Sequence, residues 1–388
     1  MPGAFLAVLQ LFFALTWVVY VIYLPALAQQ AGLDKRFVPM ILLMDQLIFL
    51  ACDWMAGVYA DRIARKFARI GGWMATVTLV SCAAFIAMPF AADFAATPFL
   101  LLTIVWSATS SALRAPPFAI VSRHAPVASQ PWVASSYLFG LGLASAIAPY
   151  IAIDLRQMDP RIPFALSSVG LALFTFALAR AERNAPPTAA IAPAADAVYT
   201  PMPSIALLAF VILLFAFGYQ VHFAVNSAPA YARLAEESDL PRLMPIFWIG
   251  FNVGLLPAAL FVKRFGGAAM MAAGGLLGVA ALAGCSRAPS LELLVVAQSM
   301  AGVAWSLALT AAFSAALAAG RGGREGLLTG ILFSTLAAAA ILRIAILLSG
   351  KQGSFYLESM PFIVWALGAF LIAMVAFPEK AKRPAPVR

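Results

Sequence analysis

The stretch GVYADRIARKFARIGGW, residues 57–73, crowds Asp61, Arg62, Arg65, Lys66 and Arg69 into nine positions between two long apolar runs. Charges are scarce elsewhere: 11% of the 388 residues are charged and 63% are hydrophobic, whereas soluble domains carry roughly a quarter charged residues. Apolar runs recur on both sides of the cluster at about 20 residues, the length a helix needs to cross roughly 30 Å of hydrocarbon. In lipid an unsatisfied backbone group costs several kcal/mol, which leaves only helices or closed barrels. The runs lack the apolar–polar alternation of barrel strands. Small-residue stretches such as AAMMAAGGLLGVAALAG (268–284) suit close helix packing. The expected fold class is therefore all-α and integral to a membrane.

Working outward from the cluster, breaks at charges, Pro and Gly divide the chain into twelve spans. They lie near 3–28, 37–60, 70–92, 98–122, 132–153, 162–180, 204–228, 243–263, 266–286, 291–319, 325–350 and 360–377. The first run is longer than a signal-peptide core and has no Lys or Arg before it, so PALAQQ (25–30) is read as part of a retained span. With the N-terminus in the cytoplasm, fifteen Lys and Arg fall on the cytoplasmic side and eight on the other. The positive-inside rule then places both termini in the cytoplasm, and the membrane is expected to be the cytoplasmic (inner) one. This asymmetry accounts for the net charge of +9 and removes the reason to invoke nucleic acid. NAPPTAAIAPAADAVYTPMPS (184–204) is Pro-rich and poor in large apolar residues. It reads as an extended linker (184–203) between two sets of six spans, 1–183 and 204–378, with a cytoplasmic tail at 379–388.

In that topology the quoted stretch is the cytoplasmic loop between the second and third spans. Orientation explains its cations but not Asp61, because an acid weakens a positive loop. The pattern Gly57-x-x-x-Asp61-Arg62-x-Ala64-Arg65-Lys66 resembles the loop signature of the major facilitator superfamily, with Ala64 where that family has Gly. A second copy, Ala259-Leu-Phe-Val-Lys263-Arg264-Phe265-Gly266, falls between the eighth and ninth spans, with Arg264 standing 202 residues after Arg62 and Lys263 replacing the acid. Repeats of this kind typify secondary transporters. In the fifth span Ala144-x-x-x-Ala148-Pro149 is similar to a Gly-x-x-x-Gly-Pro motif associated in the family with antiporters.

The resemblance implies two pseudo-symmetric six-helix bundles rocking about a central site, and a secondary transporter of a small molecule. It implies that Gly57, Asp61, Arg62, Arg65 and Lys66 form an inner gate, with Asp61 facing the positive N-terminal end of the eleventh span. It also places spans one, four, seven and ten around the cavity. On these lie Gln10, Trp17, Tyr20, Tyr219, Gln220, His222, Asn226, Gln298 and Trp305 as candidate lining residues. The bland alternative for the Trp and Tyr is a membrane-interface belt, and it suffices for Tyr23.

Four ionisable residues fall inside spans, where each costs about 2.5–3.5 kcal/mol unless paired or hydrated. At about 1.5 Å of rise per residue, Asp53 and Arg114 match in depth in the inner third, as an intradomain brace or a proton-coupling site. Asp45 and Arg343 match in the outer third, on spans the resemblance brings together across the halves, and are expected as an outer gate whose contact forms only when the outer side is closed. Asp53 is poised between burial, which opposes its charge, and Arg114, which favours it; His222 is the other candidate for titration.

No Gly-x-x-x-x-Gly-Lys-Ser/Thr stretch occurs, which excludes that route to ATP. Cys52, Cys82 and Cys285 have no paired spacing, and His124 stands without a nearby Cys or acid. Neither metal, cofactor nor catalytic set is expected. The expected function is proton-coupled export of a small organic molecule by antiport, from a monomer. Proton-coupled uptake of an organic acid is the alternative, and a membrane enzyme or a receptor is remote.

Overall fold

The computed structural model describes residues 2–67, 69–185, 203–350 and 355–377. The linker core and the basic tail expected from the sequence lie outside these residues. Twelve helices are long and apolar enough to cross a membrane: α1 (Gly3–Gln30), α2 (Lys35–Phe67), α3 (Gly71–Ala92), α4 (Ala96–Arg123), α5 (Val127–Leu155), α6 (Arg161–Asn184), α7 (Ile205–Ala232), α8 (Glu237–Phe265), α9 (Gly267–Arg287), α10 (Leu291–Gly320), α11 (Glu325–Leu348) and α12 (Tyr356–Ala376). Among the described residues there is no strand. Every span expected from hydropathy is present, and the closely spaced pair around VKRFGG is two helices. α8 ends because Gly266 adopts φ +88°, a conformation that favours glycine.

The packing repeats with a period of six helices. In the first half α1 packs on α5 and α6, α3 on α4 and α6, and α2 on α4; in the second half α7 packs on α11 and α12, α9 on α10 and α12, and α8 on α10. The halves meet through α2 with α11 and, at the symmetric position, α5 with α8. Lipid supplies no hydrophobic drive between helices, so contact rests on close approach of small residues.

Two helices are broken where their polar residues lie. α4 tightens to a 3-10 turn over Ser111–Leu113 and restarts as a helix at Ala115–Arg123 with Pro at its first turn. Pro116 and Pro117 donate no backbone hydrogen bond and so interrupt the ladder. Arg114 sits at this break. α7 widens to a π turn over His222–Asn226, a feature frequent at functional sites.

Candidate functional site

At the Asp61 end, α2 crosses α11 at glycines. A Cβ on Gly57 would collide with the Gly326 carbonyl oxygen, and a Cβ on Gly330 would lie 2.7 Å from the Asp53 carbonyl oxygen. This approach delivers the Asp61 carboxylate to the start of α11. Its Oδ1 accepts from the Gly326 N–H at 3.0 Å and its Oδ2 from the Leu327 N–H at 2.7 Å. The first N–H groups of a helix have no intrahelical partner and carry partial positive charge, so a carboxylate is the side chain that satisfies them best. Arg123, at the end of α4, donates to Asp61 at 3.0 Å and approaches Glu325 to 3.6 Å. Arg65 donates to the Gly323 carbonyl and Arg321 to the Ala125 carbonyl.

Of the residues expected here, Gly57, Asp61 and Arg65 cross between halves, while Arg62 and Lys66 are exposed. Glu325 and Gly326 stand at the N-terminal end of α11, toward which Asp61 is expected to face, and Arg123 joins the contact without a signal in the sequence. Arg123 lies 62 residues from Asp61, and no local pattern joins the two.

Behind this latch lies an aromatic plug from both halves. Phe118 (α4) stacks on Phe313 (α10) with centroids 5.1 Å apart, and Phe333 (α11) and Tyr137 (α5) close around them at 4.3–6.0 Å. All four are buried.

Midway along α2, Arg114 Nη1 lies 2.8 Å from Asp53 Oδ2; the carboxylate side chain is 0% exposed and the guanidinium 17%. The guanidinium carbon lies over the Phe49 ring, 3.9 Å from its centroid, which replaces part of its lost hydration. Ser111 stands beside the carboxylate, with its hydroxyl and Asp53 Oδ1 both buried. The structure thus brings together the pair that depth matching selected, with Ser111 as a further polar neighbour of the carboxylate.

It does not bring Asp45 to Arg343. Asp45 is 0% exposed and both its oxygens are taken inside the first half, by Tyr20 Oη and Ser107 Oγ, each at 2.7 Å. Depth matching missed these donors because uncharged hydroxyls give no signal in a search for charge pairs. Tyr20, expected to line a cavity, is therefore a core residue packed with Trp106, and Trp17 stacks on the same Trp106.

In the second half His222 and Gln298 are bonded to each other at 2.9 Å. Ser227 closes the ring by accepting from Gln298 and donating to the His222 carbonyl. Both expected cavity residues are buried, as are Gln10 and Trp305. Asn226 donates to the Leu357 carbonyl in α12. Gln220 and Tyr219 remain partly exposed, and Tyr219 stacks on Trp305 at 5.1 Å. Arg343 stands near Tyr219, and its Nε is buried without a partner. Among the described residues it forms no salt bridge.

Two six-helix halves that repeat each other's packing and meet through α2 with α11 and α5 with α8 define the major facilitator fold. Solved structures of that fold match this chain nearly end to end. The human organic anion transporter MFSD10 superposes with a TM-score of 0.73 at 14% identity, covering 95% of this chain and 98% of that one. A bacterial homologue of the iron transporter ferroportin, in an outward-facing state, gives 0.73 at 13% identity with 96% and 98% covered. The E. coli fucose:proton symporter FucP gives 0.70 at 13% identity, again with 96% and 98% covered. At such identity the likeness is one of fold. No family model matches the sequence, and no curated protein does.

Proposed function

We propose that the chain is a secondary active transporter that moves a small organic molecule by alternating access, coupled to protons and working as an exporter by antiport. On this reading both termini are cytoplasmic, and the Asp61 end is the cytoplasmic gate. The fold supports the transporter class, since the structures it resembles include an organic anion transporter and a sugar:proton symporter.

The observation that carries coupling is Asp53, fully buried, with one oxygen on a partly exposed Arg114 and the Ser111 hydroxyl beside it. A carboxylate held by one cation in a low-dielectric interior takes up a proton when that cation is drawn away. A substrate that binds the ionised Asp53 competes with its proton, which is the linkage antiport requires, whereas one that draws Arg114 away brings a proton with it and would be symported. In inverted vesicles an outwardly directed substrate flux should follow an imposed pH gradient. Asp53→Asn should abolish gradient-driven accumulation while preserving substrate exchange. Gradient-driven accumulation that persists in Asp53→Asn would remove Asp53 from the role.

Arg343 favours a second reading, proton-coupled uptake of an organic acid, because a buried guanidinium without a carboxylate suits an anionic ligand. The sign of the proton-driven flux separates the two. Thermal shift of the purified protein against benzoate, citrate and cationic amphiphiles, read at two pH values, would narrow the substrate.

A further inference from the structure

At the Asp61 end, on the outer flank of the first half, a groove of about 510 Å³ opens between α2, α3 and α6. Its walls have two characters. Tyr59, Ile63 and Phe67 follow one another at intervals of four on α2 and form one stripe, and Trp73 of α3 packs on Tyr59 with ring centroids 5.4 Å apart. Tyr59 and Phe67 are 51% and 62% exposed, as apolar side chains are when lipid is their solvent. The other end is basic: Arg69 and Arg183 line the same groove and are exposed.

The one acid in the groove does not neutralise them by contact. Glu182 is buried and directs both oxygens to backbone, accepting from the Ile70 N–H at 2.9 Å and the Gly71 N–H at 2.6 Å. Among the described residues neither arginine forms a salt bridge. Between them Gly72 adds no bulk, and a Cβ there would meet nothing within 4 Å. From Tyr59 to Phe67 the apolar stripe runs about 12 Å at about 1.5 Å per residue, a length suited to the upper part of an acyl chain.

We propose that this groove binds an anionic phospholipid of the leaflet at the Asp61 end. Its phosphate would lie between Arg69 and Arg183 and its glycerol and acyl chain against Tyr59, Ile63, Phe67 and Trp73. Arginine forks match phosphate geometry, and basic pockets between membrane helices at the cytoplasmic side are where anionic headgroups bind. The site is separate from the Asp53 pair and does not depend on the transport reading.

The test is native mass spectrometry of the full chain released from nanodiscs of phosphatidylcholine with phosphatidylglycerol. Wild-type protein should retain phosphatidylglycerol over phosphatidylcholine by about tenfold. The double variant Arg69→Gln/Arg183→Gln should lose that preference, while the charge-matched Lys263→Gln/Arg264→Gln at the same end of the second half should keep it. Gly72→Leu, which fills the open space and removes no charge, should also lose it, so a folding defect in the arginine variant does not decide the matter. Equal loss in the charge-matched control, full retention in the arginine and Gly72 variants, or complete displacement of the lipid by millimolar inorganic phosphate would each overturn the proposal.

Discussion

The two halves carry the same loop and use it differently. At the end of α2, Gly57 lets the backbone of α11 approach, and Asp61 accepts two N–H groups of that helix. At the matching place on α8, 202 residues later, Ala259 and Lys263 stand instead. Ala259 is buried, and Lys263 and Arg264 are exposed, with Arg264 over the Phe265 ring. There the contact between halves is made deeper, by Ser135 of α5 donating to the Leu255 carbonyl at 3.1 Å and by Gly142 receiving Phe251. One crossing is latched by a charge on a helix end and the other is held by packing. Closure at the Asp61 end is thus asymmetric, and only one side of it responds strongly to a single carboxylate.

The sharpest way to break this contrast is steric. Gly57→Leu or Gly326→Leu places a side chain where backbone now lies, and overpacking costs about 1–3 kcal/mol. The form closed at the Asp61 end should become about tenfold or more rarer, with distances between spin labels at the ends of α2 and α11 lengthening and transport falling in step. Unchanged distances would mean that the glycine crossing does not set the closed form.

Asp61→Asn keeps the shape and removes the charge. Hydrogen bonds to charged groups are worth about 1.5–3 kcal/mol and neutral ones about 0.5–1.5, so the closed form should weaken by roughly five- to tenfold in the same measurement. Arg123→Gln should act in the same direction but by only about threefold, because the guanidinium is partly exposed and its attraction is screened. Its loss leaves Asp61 and Glu325 facing each other, so a compensating Glu325→Gln should recover part of the effect.

The smallest effect is expected in the second half. Lys263→Ala removes an exposed charge and should shift the label distances and the thermal midpoint by no more than a surface change does, within about 0.5 kcal/mol. An effect of Lys263→Ala as large as that of Asp61→Asn would show that the two loops are functional equals despite their different contacts.

Some of this was legible beforehand for definite reasons. Asp53 and Arg114 pair by sequence because helix rise converts residue number into depth, and opposite charges at one depth in one half have few alternatives. The same reasoning paired Asp45 with Arg343 and met a different outcome, since Tyr20 and Ser107 reach the carboxylate first. Polarity on spans seven and ten marks His222 and Gln298 as cavity candidates, whereas in the structure the His222 of the π turn is bonded to Gln298 and both are buried. The aromatic plug was invisible among 29 phenylalanines.

What the sequence determined alone was the number of spans, their repeat as two sets of six and the place of the Asp61 motif. These follow from length and polarity along one dimension, and lipid leaves the backbone no other way to satisfy its hydrogen bonds. Tertiary structure alone decided which face of each helix meets which neighbour. In water an apolar stripe marks the buried side of a helix, but here the lipid-facing and protein-facing sides are both apolar. Rotation about each axis is then settled by close approach at Gly57, Gly326 and Gly330 and by the few hydrogen bonds that α2, α4 and α11 exchange.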